Sequence, residues 1–137
     1  VIAIPDLPDY AQRVRYDLPQ VVPLSDAVHN IGRALLLVEA LREGDFALLG
    51  RALSDRLHEP YRRDDIPGSD EAIDAALQAG AAGIALCGAG PALAAFAARD
   101  HAAIEQALAD AFADAGVSIR TLTVAADTQG VVINVVE

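Results

Sequence analysis

Apolar residues recur at helical spacing along much of the chain, and the longest such stretch begins near Pro23. Ser25 is expected to cap its free N–H groups, and the helix should run to about Arg42 with Gly44 as its stop. Its apolar residues form a stripe broader than a simple amphipathic face, so we expect this helix to be mostly buried. The stripe consists of Val28, Ile31, Leu35, Val38 and Leu41.

Four further stretches are predicted to be helical from the same spacing and from their end signals. They comprise residues 6–18, a segment that begins at Asp45, a segment from Ser69 to Gly80, and a segment that Asp100 caps and Gly116 ends. The last of them has an inner stripe formed by Ile104, Leu108, Ala111, Phe112 and Ala115. Residues 58–68 are dense in charge and contain two prolines, which favours a loop.

Short runs of aliphatic and β-branched residues predict the strands. They lie at residues 1–4, on both sides of a glycine-rich turn within 83–96, at 117–124 and at 131–136, and the last two are expected to form a hairpin. Because only a few residues connect the later strands, antiparallel pairing is favoured. We therefore predict an α+β fold in which a small antiparallel sheet carries helices packed on one face.

The composition narrows the classes of function. A chain of 137 residues is one domain, and its net charge of −10 disfavours nucleic acid and anionic membranes as partners, since both would repel it. No apolar run approaches the roughly 20 residues that cross a bilayer, so a soluble protein is expected. A lone cysteine, Cys87, fits a reducing compartment, and the lack of methionine indicates a piece cut from a longer protein. All ten basic residues are arginines, so a bound anion must be held by arginine, backbone N–H groups or helix ends.

The turn formed by Gly88, Ala89, Gly90 and Pro91 has two interpretations. Glycines permit positive φ and bring bare backbone close to a neighbour, while the proline stiffens the turn. The neighbour is either the second strand of a plain hairpin or a ligand.

Several charged residues also have both a functional and a structural interpretation. Arg62, in an arginine pair, suits the two parallel contacts of a carboxylate or phosphate, but its segment also resembles a solvated run of charges neutralised by nearby aspartates. Arg15 lies near the end of its helix, where a contact with the helix C-terminus is the simplest role. His58 lies among carboxylates, a pattern that favours a surface or capping role over a metal site. Cys87, without a basic neighbour in sequence, is expected to be an inert buried thiol.

Taken together, four segments resemble the carboxy-terminal domain of the homoserine kinases, a family within the GHMP small-molecule kinase superfamily. The segments span nearly the whole chain and are DAVHNIGRALLLVEALREGDFALLG, DRLHEPYR, IPG and GIALCGAGPALAAF. Gly88 to Pro91 match the family's S-G-[SA]-G-P-[ST] pattern, in which Cys87 and Ala92 replace the usual hydroxyl residues. H-x-P-Y-R followed by I-P-G points to homoserine kinases rather than to the sugar or mevalonate branches.

The resemblance implies a cytoplasmic enzyme that uses ATP to phosphorylate the hydroxyl of L-homoserine in threonine biosynthesis. It implies a ferredoxin-like fold with a four-stranded sheet over residues 1–137, in which Arg15 and Arg62 hold the substrate carboxylate. The turn Gly88 to Pro91 would shape the phosphate side of the pocket. ATP and Mg²⁺ would be cofactors of the full-length enzyme, held by an amino-terminal domain that these residues lack, so the fragment alone is expected to be inactive, with no catalytic or metal-binding residue of its own.

Other functions are left open at this point. One is phosphorylation of a different small alcohol by another GHMP kinase. A second is a non-catalytic domain that binds an amino acid and regulates a partner. A third is a piece that serves mainly as the surface of a homodimer.

Overall fold

The computed structural model describes residues 1–14 and 18–133 of the chain. Four strands and six helices are present in this part. In chain order they are β1 (Ile2–Pro5), α1 (Tyr10–Arg13), α2 (Leu24–Glu43), α3 (Phe46–Ala52), α4 (Glu59–Arg63), α5 (Ser69–Gln78), β2 (Gly83–Leu86), β3 (Leu93–Phe96), α6 (His101–Asp114) and β4 (Ile119–Leu122).

The four strands form one antiparallel sheet in the order β2-β3-β1-β4. Ala3 of the central strand β1 lies opposite Leu93 of β3 and Thr121 of β4. Helices α1 to α5 lie between β1 and β2, and α6 lies between β3 and β4. With α5 and α6 as the two helices packed on the sheet, this strand order is that of a ferredoxin-like β-α-β-β-α-β unit. The predicted α+β class and the four-stranded antiparallel sheet are confirmed.

The core lies between the sheet and the two helices α5 and α6, which pack against each other. Alternate strand residues point into it, so Ala3 and Leu93 are fully buried. Helix α6 contributes Ile104, Leu108 and Phe112, all without solvent exposure, which confirms most of its predicted inner stripe. Burial of each such large side chain contributes about 1.5–3 kcal/mol, so this layer supplies much of the stability.

Helix α2 differs from the prediction of a mostly buried helix. Within the described residues it packs chiefly on α3, and Ala40 is its single buried residue. The prediction was wrong because the periodicity of apolar residues identifies a stripe without showing what covers it. All five residues of the predicted inner stripe are 58–70% exposed: Val28, Ile31, Leu35, Val38 and Leu41.

The ends of α2 confirm one boundary prediction and correct another. The helix stops at Gly44, whose φ of +67° is the left-handed conformation that glycine adopts easily, as predicted. At the other end, Pro23 is the N-cap and no side chain caps the free N–H groups. Ser25 therefore lies inside the first turn and does not have the predicted capping role.

Two further boundaries also differ from the predictions. The segment 58–68 is not entirely a loop, because α4 forms within it, with Pro60 in the first turn, where its missing N–H is not needed. Within the described residues the predicted terminal hairpin is absent: β4 ends at Leu122 and residues 123–133 contain no strand. The rest of the predicted second strand, residues 134–136, lies outside the described part of the chain. Because no partner strand meets residues 131–133, their β-branched composition alone does not make them a strand.

Candidate functional site

Arg62 is buried at one end of the short helix α4. Only 5% of its surface is exposed, so its interpretation as a solvated charge is wrong. Its guanidinium donates from Nη1 to the carbonyl oxygen of Val14, and its Nε donates to Nε2 of His58 at 3.4 Å. A buried cation needs such partners, because an unpaired one is costly. The predicted binding residue is therefore held in one position by contacts to two segments.

Arg15, the second predicted carboxylate-binding residue, lies outside the described residues. It follows Val14 directly in the sequence, and Val14 is the residue whose carbonyl accepts a hydrogen bond from Arg62. The chain segment that leads to Arg15 is thus anchored to Arg62.

Asp55 explains why a helix forms within the charged segment. Its carboxylate accepts hydrogen bonds from the backbone N–H groups of Leu57, His58 and Glu59 at 2.7–3.0 Å, which satisfies groups at the start of α4. Asn30 of α2 donates to the same carboxylate. Burial alone would raise the pKa of Asp55, but these hydrogen bonds outweigh burial and hold the pKa below its ordinary value.

Glu59 joins α4 to the sheet. Its Oε1 accepts a 2.7 Å hydrogen bond from the backbone N–H of Leu86, the last residue of β2. Burial raises the pKa of Glu59, and the Asp55 charge adds to the rise, whereas the Leu86 N–H and the Arg63 charge oppose it. Because Glu59 and Arg62 are three residues apart on a helix, the anchor and the arginine share one face of α4.

The glycine turn connects β2 and β3, as the hairpin interpretation requires. The N–H of Cys87 bonds the carbonyl of Ala92 at 2.8 Å, and the N–H of Gly90 bonds the carbonyl of Cys87 at 3.0 Å. Gly90 has a φ of +85°, and a Cβ at this position would lie 2.7 Å from the hydroxyl of Tyr10. The turn therefore excludes any side chain there, since both the backbone angle and the contact demand glycine.

Tyr10 attaches α1 to the same turn. Its hydroxyl donates a 2.8 Å hydrogen bond to the carbonyl of Ala89, 79 residues away in sequence. Burial raises the pKa of Tyr10, so the phenol remains a neutral donor at ordinary pH. The Arg62 charge acts in the opposite direction on this pKa.

Three long-range hydrogen bonds thus link three segments in a closed ring. Tyr10 joins α1 to the turn, Glu59 joins α4 to the strand before the turn, and Arg62 joins α4 back to Val14 at the end of α1. We call this arrangement the three-segment ring. Bonds of this kind contribute about 0.5–1.5 kcal/mol each, and 1.5–3 kcal/mol where a charge takes part, so the ring fixes the position of Arg62 relative to the glycine turn.

The tip of the turn offers unused donors. Gly88 and Ala89 are exposed, and none of the hydrogen bonds among the described residues uses either N–H group. Gly88 has a φ of +59°, and a Cβ there would meet nothing within 4 Å. Adjacent N–H groups around a residue with positive φ are a common way to bind a phosphate oxygen. Pro91 adds rigidity without a donor.

The remaining candidates do not form a site of their own. His58 contacts Arg62, and within residues 1–14 and 18–133 no three histidine, cysteine, aspartate or glutamate side chains cluster closely enough to hold a metal ion. Cys87 is half-buried, and burial raises the pKa of its thiol, so it is a weak nucleophile. Two cavities of about 560 and 570 Å³ lie elsewhere, one between α5 and α6 and one on the open face of the sheet. No helix in the described part of the chain has the length and apolar character needed to cross a membrane.

Tyr10 and Glu59 of the ring, and Asp55 at the start of α4, were not predicted as site residues from the sequence. Tyr10 lies at helical spacing with Val14, so the sequence suggests a packing role for it. For Asp55 and Glu59, the sequence suggests exposure to solvent or contact with a metal ion. A signal for the carboxylates exists: Asp55 lies shortly before a proline in a first helical turn, where an acceptor for free N–H groups is needed. No local signal identifies Tyr10, because its partner lies 79 residues away.

This chain is similar in sequence to known proteins. Among curated proteins, the homoserine kinase of Parasynechococcus marenigrum is 41% identical over 131 residues, which are 95% of this chain and 42% of that protein. The homoserine kinase of Gloeobacter violaceus is 45% identical over 116 residues, which are 84% of this chain and 39% of that protein. This chain thus spans less than half of the length of these relatives.

A solved structure is also similar to this chain. The crystal structure of homoserine kinase from Cytophaga hutchinsonii superposes with a TM-score of 0.80 at 33% identity and covers 87% of this chain and 38% of that one. Residues 37–114 match the family model described as GHMP kinases C terminal. The match takes in α3 to α6 and both strands of the hairpin, and this chain therefore belongs to the GHMP kinase family.

Proposed function

We propose that this chain is the substrate-side domain of a homoserine kinase, which transfers the γ-phosphate of ATP to the hydroxyl of L-homoserine. The observation that carries the proposal is the buried Arg62, which is held by Val14 and His58 and is joined through the three-segment ring to a turn with unused N–H groups. The names of the relatives support the choice of substrate. The proposed location is the cytoplasm, and the proposed pathway is threonine biosynthesis.

In this proposal Arg62 and Arg15 bind the carboxylate of the amino-acid substrate. A guanidinium presents several N–H groups in one plane and bonds a carboxylate through two parallel contacts. Because the three-segment ring fixes Arg62, little side-chain entropy remains to be lost when the substrate binds. The arginines orient the substrate so that its hydroxyl is placed for phosphoryl transfer.

The exposed N–H groups of Gly88 and Ala89 would take the phosphate side of the site. They fit phosphate oxygens as backbone donors, and the lack of hydroxyls at Cys87 and Ala92 leaves this role to the backbone. We assign ATP and Mg²⁺ to an amino-terminal ATP-binding domain in the rest of a longer chain, as the resemblance to homoserine kinases implies.

The test compares Arg62→Ala with Arg63→Ala in the full-length protein. Loss of a charge-assisted contact worth about 1.5–3 kcal/mol should raise KM for homoserine roughly 10- to 150-fold, with KM for ATP unchanged. Arg63 is the matched control, because it is adjacent and pairs with Asp70 at 3.1 Å. An unchanged KM for homoserine in Arg62→Ala would exclude the carboxylate role.

A second readout separates binding from structural damage. The wild-type enzyme should prefer homoserine strongly over 3-aminopropan-1-ol, which has the same hydroxyl and amine but lacks the carboxylate. If Arg62 binds the carboxylate, Arg62→Ala should reduce this preference, whereas a merely distorted site should lower activity on both alcohols in parallel. Robust activity on a sugar or mevalonate instead of homoserine would favour another GHMP kinase, and no kinase activity at all would favour a regulatory binding domain.

A further inference from the structure

Helix α2 has two opposite faces that lie in different environments. The face formed by Asp26, Asn30, Arg33, Leu37 and Ala40 is directed toward α3 and the loop after it, and it is at least partly buried. Asn30 bonds Asp55 and the N–H of Arg56, and Asp26 pairs with Arg56 at 3.5 Å. This inner face attaches α2 to the segment that leads into the candidate site.

The opposite face carries a row of aliphatic side chains, which we call the exposed stripe. Each member lies two residues before a member of the inner face, which is about 200° around a helix with 3.6 residues per turn. The members are 58–80% exposed, and no described residue covers them. The exposed stripe consists of Leu24, Val28, Ile31, Leu35 and Val38.

The exposed stripe presents an apolar surface of the size that is often functional. At roughly 100 Å² of exposed surface per aliphatic side chain, it presents on the order of 500 Å² of contiguous apolar area. The largest apolar patch on a typical monomer is about 300–600 Å² and is often functional. Helix α2 thus has one partly polar face that is held by α3 and the loop after it, and one apolar face that no described residue covers.

A second copy of this chain is a poor occupant. Stable association between separate proteins requires about 800 Å² on each partner, which the exposed stripe does not supply. Each copy would also bring a net charge of −10, and the charges on the stripe's border, Glu39 and Arg42, already pair with each other at 3.6 Å. They therefore offer a second copy no unpaired charge, while the overall charges repel.

The rest of a longer chain is a better occupant. The matched relatives are more than twice as long as the part that this chain covers, which leaves ample sequence for a second domain. Interfaces between domains of one chain bury about 600–1,500 Å² in total, and about 500 Å² on each side, which is about 1,000 Å² in total, falls in this range. Because covalent linkage provides a high effective concentration, a contact of this size is sufficient within a chain.

We propose that the exposed stripe of α2 is the docking surface for the amino-terminal part of the longer chain. The inference rests on the proposed function for the existence of that part. Through Asn30 and Asp55, the docked helix would connect the interface to α4 and Arg62, so that assembly of the two parts also fixes the carboxylate-binding arginine.

The test is photocrosslinking in the full-length protein, with the photoreactive residue p-benzoylphenylalanine replacing Leu35. The protein is expressed in ¹⁴N and ¹⁵N medium and the two samples are mixed, so that peptide masses distinguish crosslinks within a chain from crosslinks between chains. The expected result is an intrachain crosslink to a peptide that lies before Val1. Crosslinks between chains would overturn the proposal in favour of a second copy, and crosslinks to residues 1–137 or no crosslink would overturn it as well.

The matched control places the same photoreactive residue at Leu77, a leucine of α5 that is 43% exposed and lies outside the exposed stripe. It should not label the same peptide, and equal labelling from both positions would overturn the proposal. A second measurement avoids the bulky photoreactive residue. In hydroxyl-radical footprinting of the full-length wild-type protein, Ile31 and Leu35 should be oxidised at least 3-fold more slowly than their exposure in this chain implies. This protection should be the same at every protein concentration, because docking within one chain does not depend on concentration. Neither measurement uses kinase activity, so failure of the docking proposal and failure of the proposed function are distinguishable.

Discussion

Helices α6 and α2 have similar apolar stripes and opposite environments. In α6 the stripe of Ile104, Leu108 and Phe112 is fully buried against the sheet and α5. In α2 the corresponding stripe is directed away from the rest of the described residues, and its side chains are more than half exposed. Both stripes have the spacing of an amphipathic helix, so the difference shows that spacing fixes the direction of an apolar face but not its partner.

The largest expected effect concerns the covered helix. Phe112→Ala should reduce the free energy of unfolding by about 3–5 kcal/mol, because it removes the largest fully buried side chain and leaves a cavity. Urea denaturation monitored by circular dichroism would measure this. Phe46→Ala is the matched control, since Phe46 is 38% exposed at the start of α3 and should cost clearly less. Equal losses for both variants would break the comparison between covered and uncovered helices.

The next effect tests how the α2–α3 pair is attached to the sheet. A Cβ at Gly50 of α3 would lie 1.9 Å from the carbonyl oxygen of Ala82, so Gly50→Ala should cost about 1–3 kcal/mol through overpacking. Gly32 of α2 has nothing within 4 Å of the same position, and Gly32→Ala should stabilise the chain by roughly 0.5–1 kcal/mol through helix propensity. Thermal denaturation of the two variants would measure the effects, and a stabilising Gly50→Ala would contradict the close contact.

The sequence predicted the parts of the molecule that depend on local rules. Periodicity and turn residues predicted the strands at 1–4, within 83–96 and within 117–124, helix α6 with its inner stripe, and the stop of α2 at Gly44, and the structure confirms these. The strand predicted at 131–136 is not found among its described residues. The position of Arg62 does not follow from periodicity, because its burial depends on Val14, 48 residues away. The resemblance to a family singled out Arg62, but the ring that holds it became visible only when distant segments were brought together.

The third effect concerns the link from α2 to the candidate site. Asp55→Ala should cost about 1–2 kcal/mol, because the start of α4 loses its acceptor and Asn30 loses its partner. The pKa of Asp55 lies below its ordinary value of about 3.9, so its contribution is present above that value and is lost as the pH falls through the lower folded-state pKa. Between about pH 2 and 5, the free energy of unfolding should therefore fall less steeply with decreasing pH in Asp55→Asn than in the wild type, which denaturation at each pH would measure.

Glu59 provides the matched control for this pH dependence. Its pKa is raised in the folded chain, so ionisation opposes folding and stability should fall as the pH rises through the window above its ordinary value of about 4.3. Glu59→Gln keeps an oxygen for the Leu86 N–H and should remove this fall. Relative to the wild type, Asp55→Asn should make the slope of the unfolding free energy against pH less positive, and Glu59→Gln should make it more positive. Changes of the same sign in both variants would contradict these two pKa directions.

The smallest expected effect returns to the exposed stripe. In this 137-residue chain Leu35→Ser should change the free energy of unfolding by no more than about 0.5 kcal/mol, because Leu35 is 70% exposed and loses almost no contacts. In the full-length protein the same substitution should cost clearly more, since it would place a hydroxyl in an apolar interface. Denaturation of both forms, with Leu77→Ser as the control, measures the difference. A loss of several kcal/mol already in the 137-residue chain would show that α2 is packed as α6 is, and the contrast between the two helices would then be wrong.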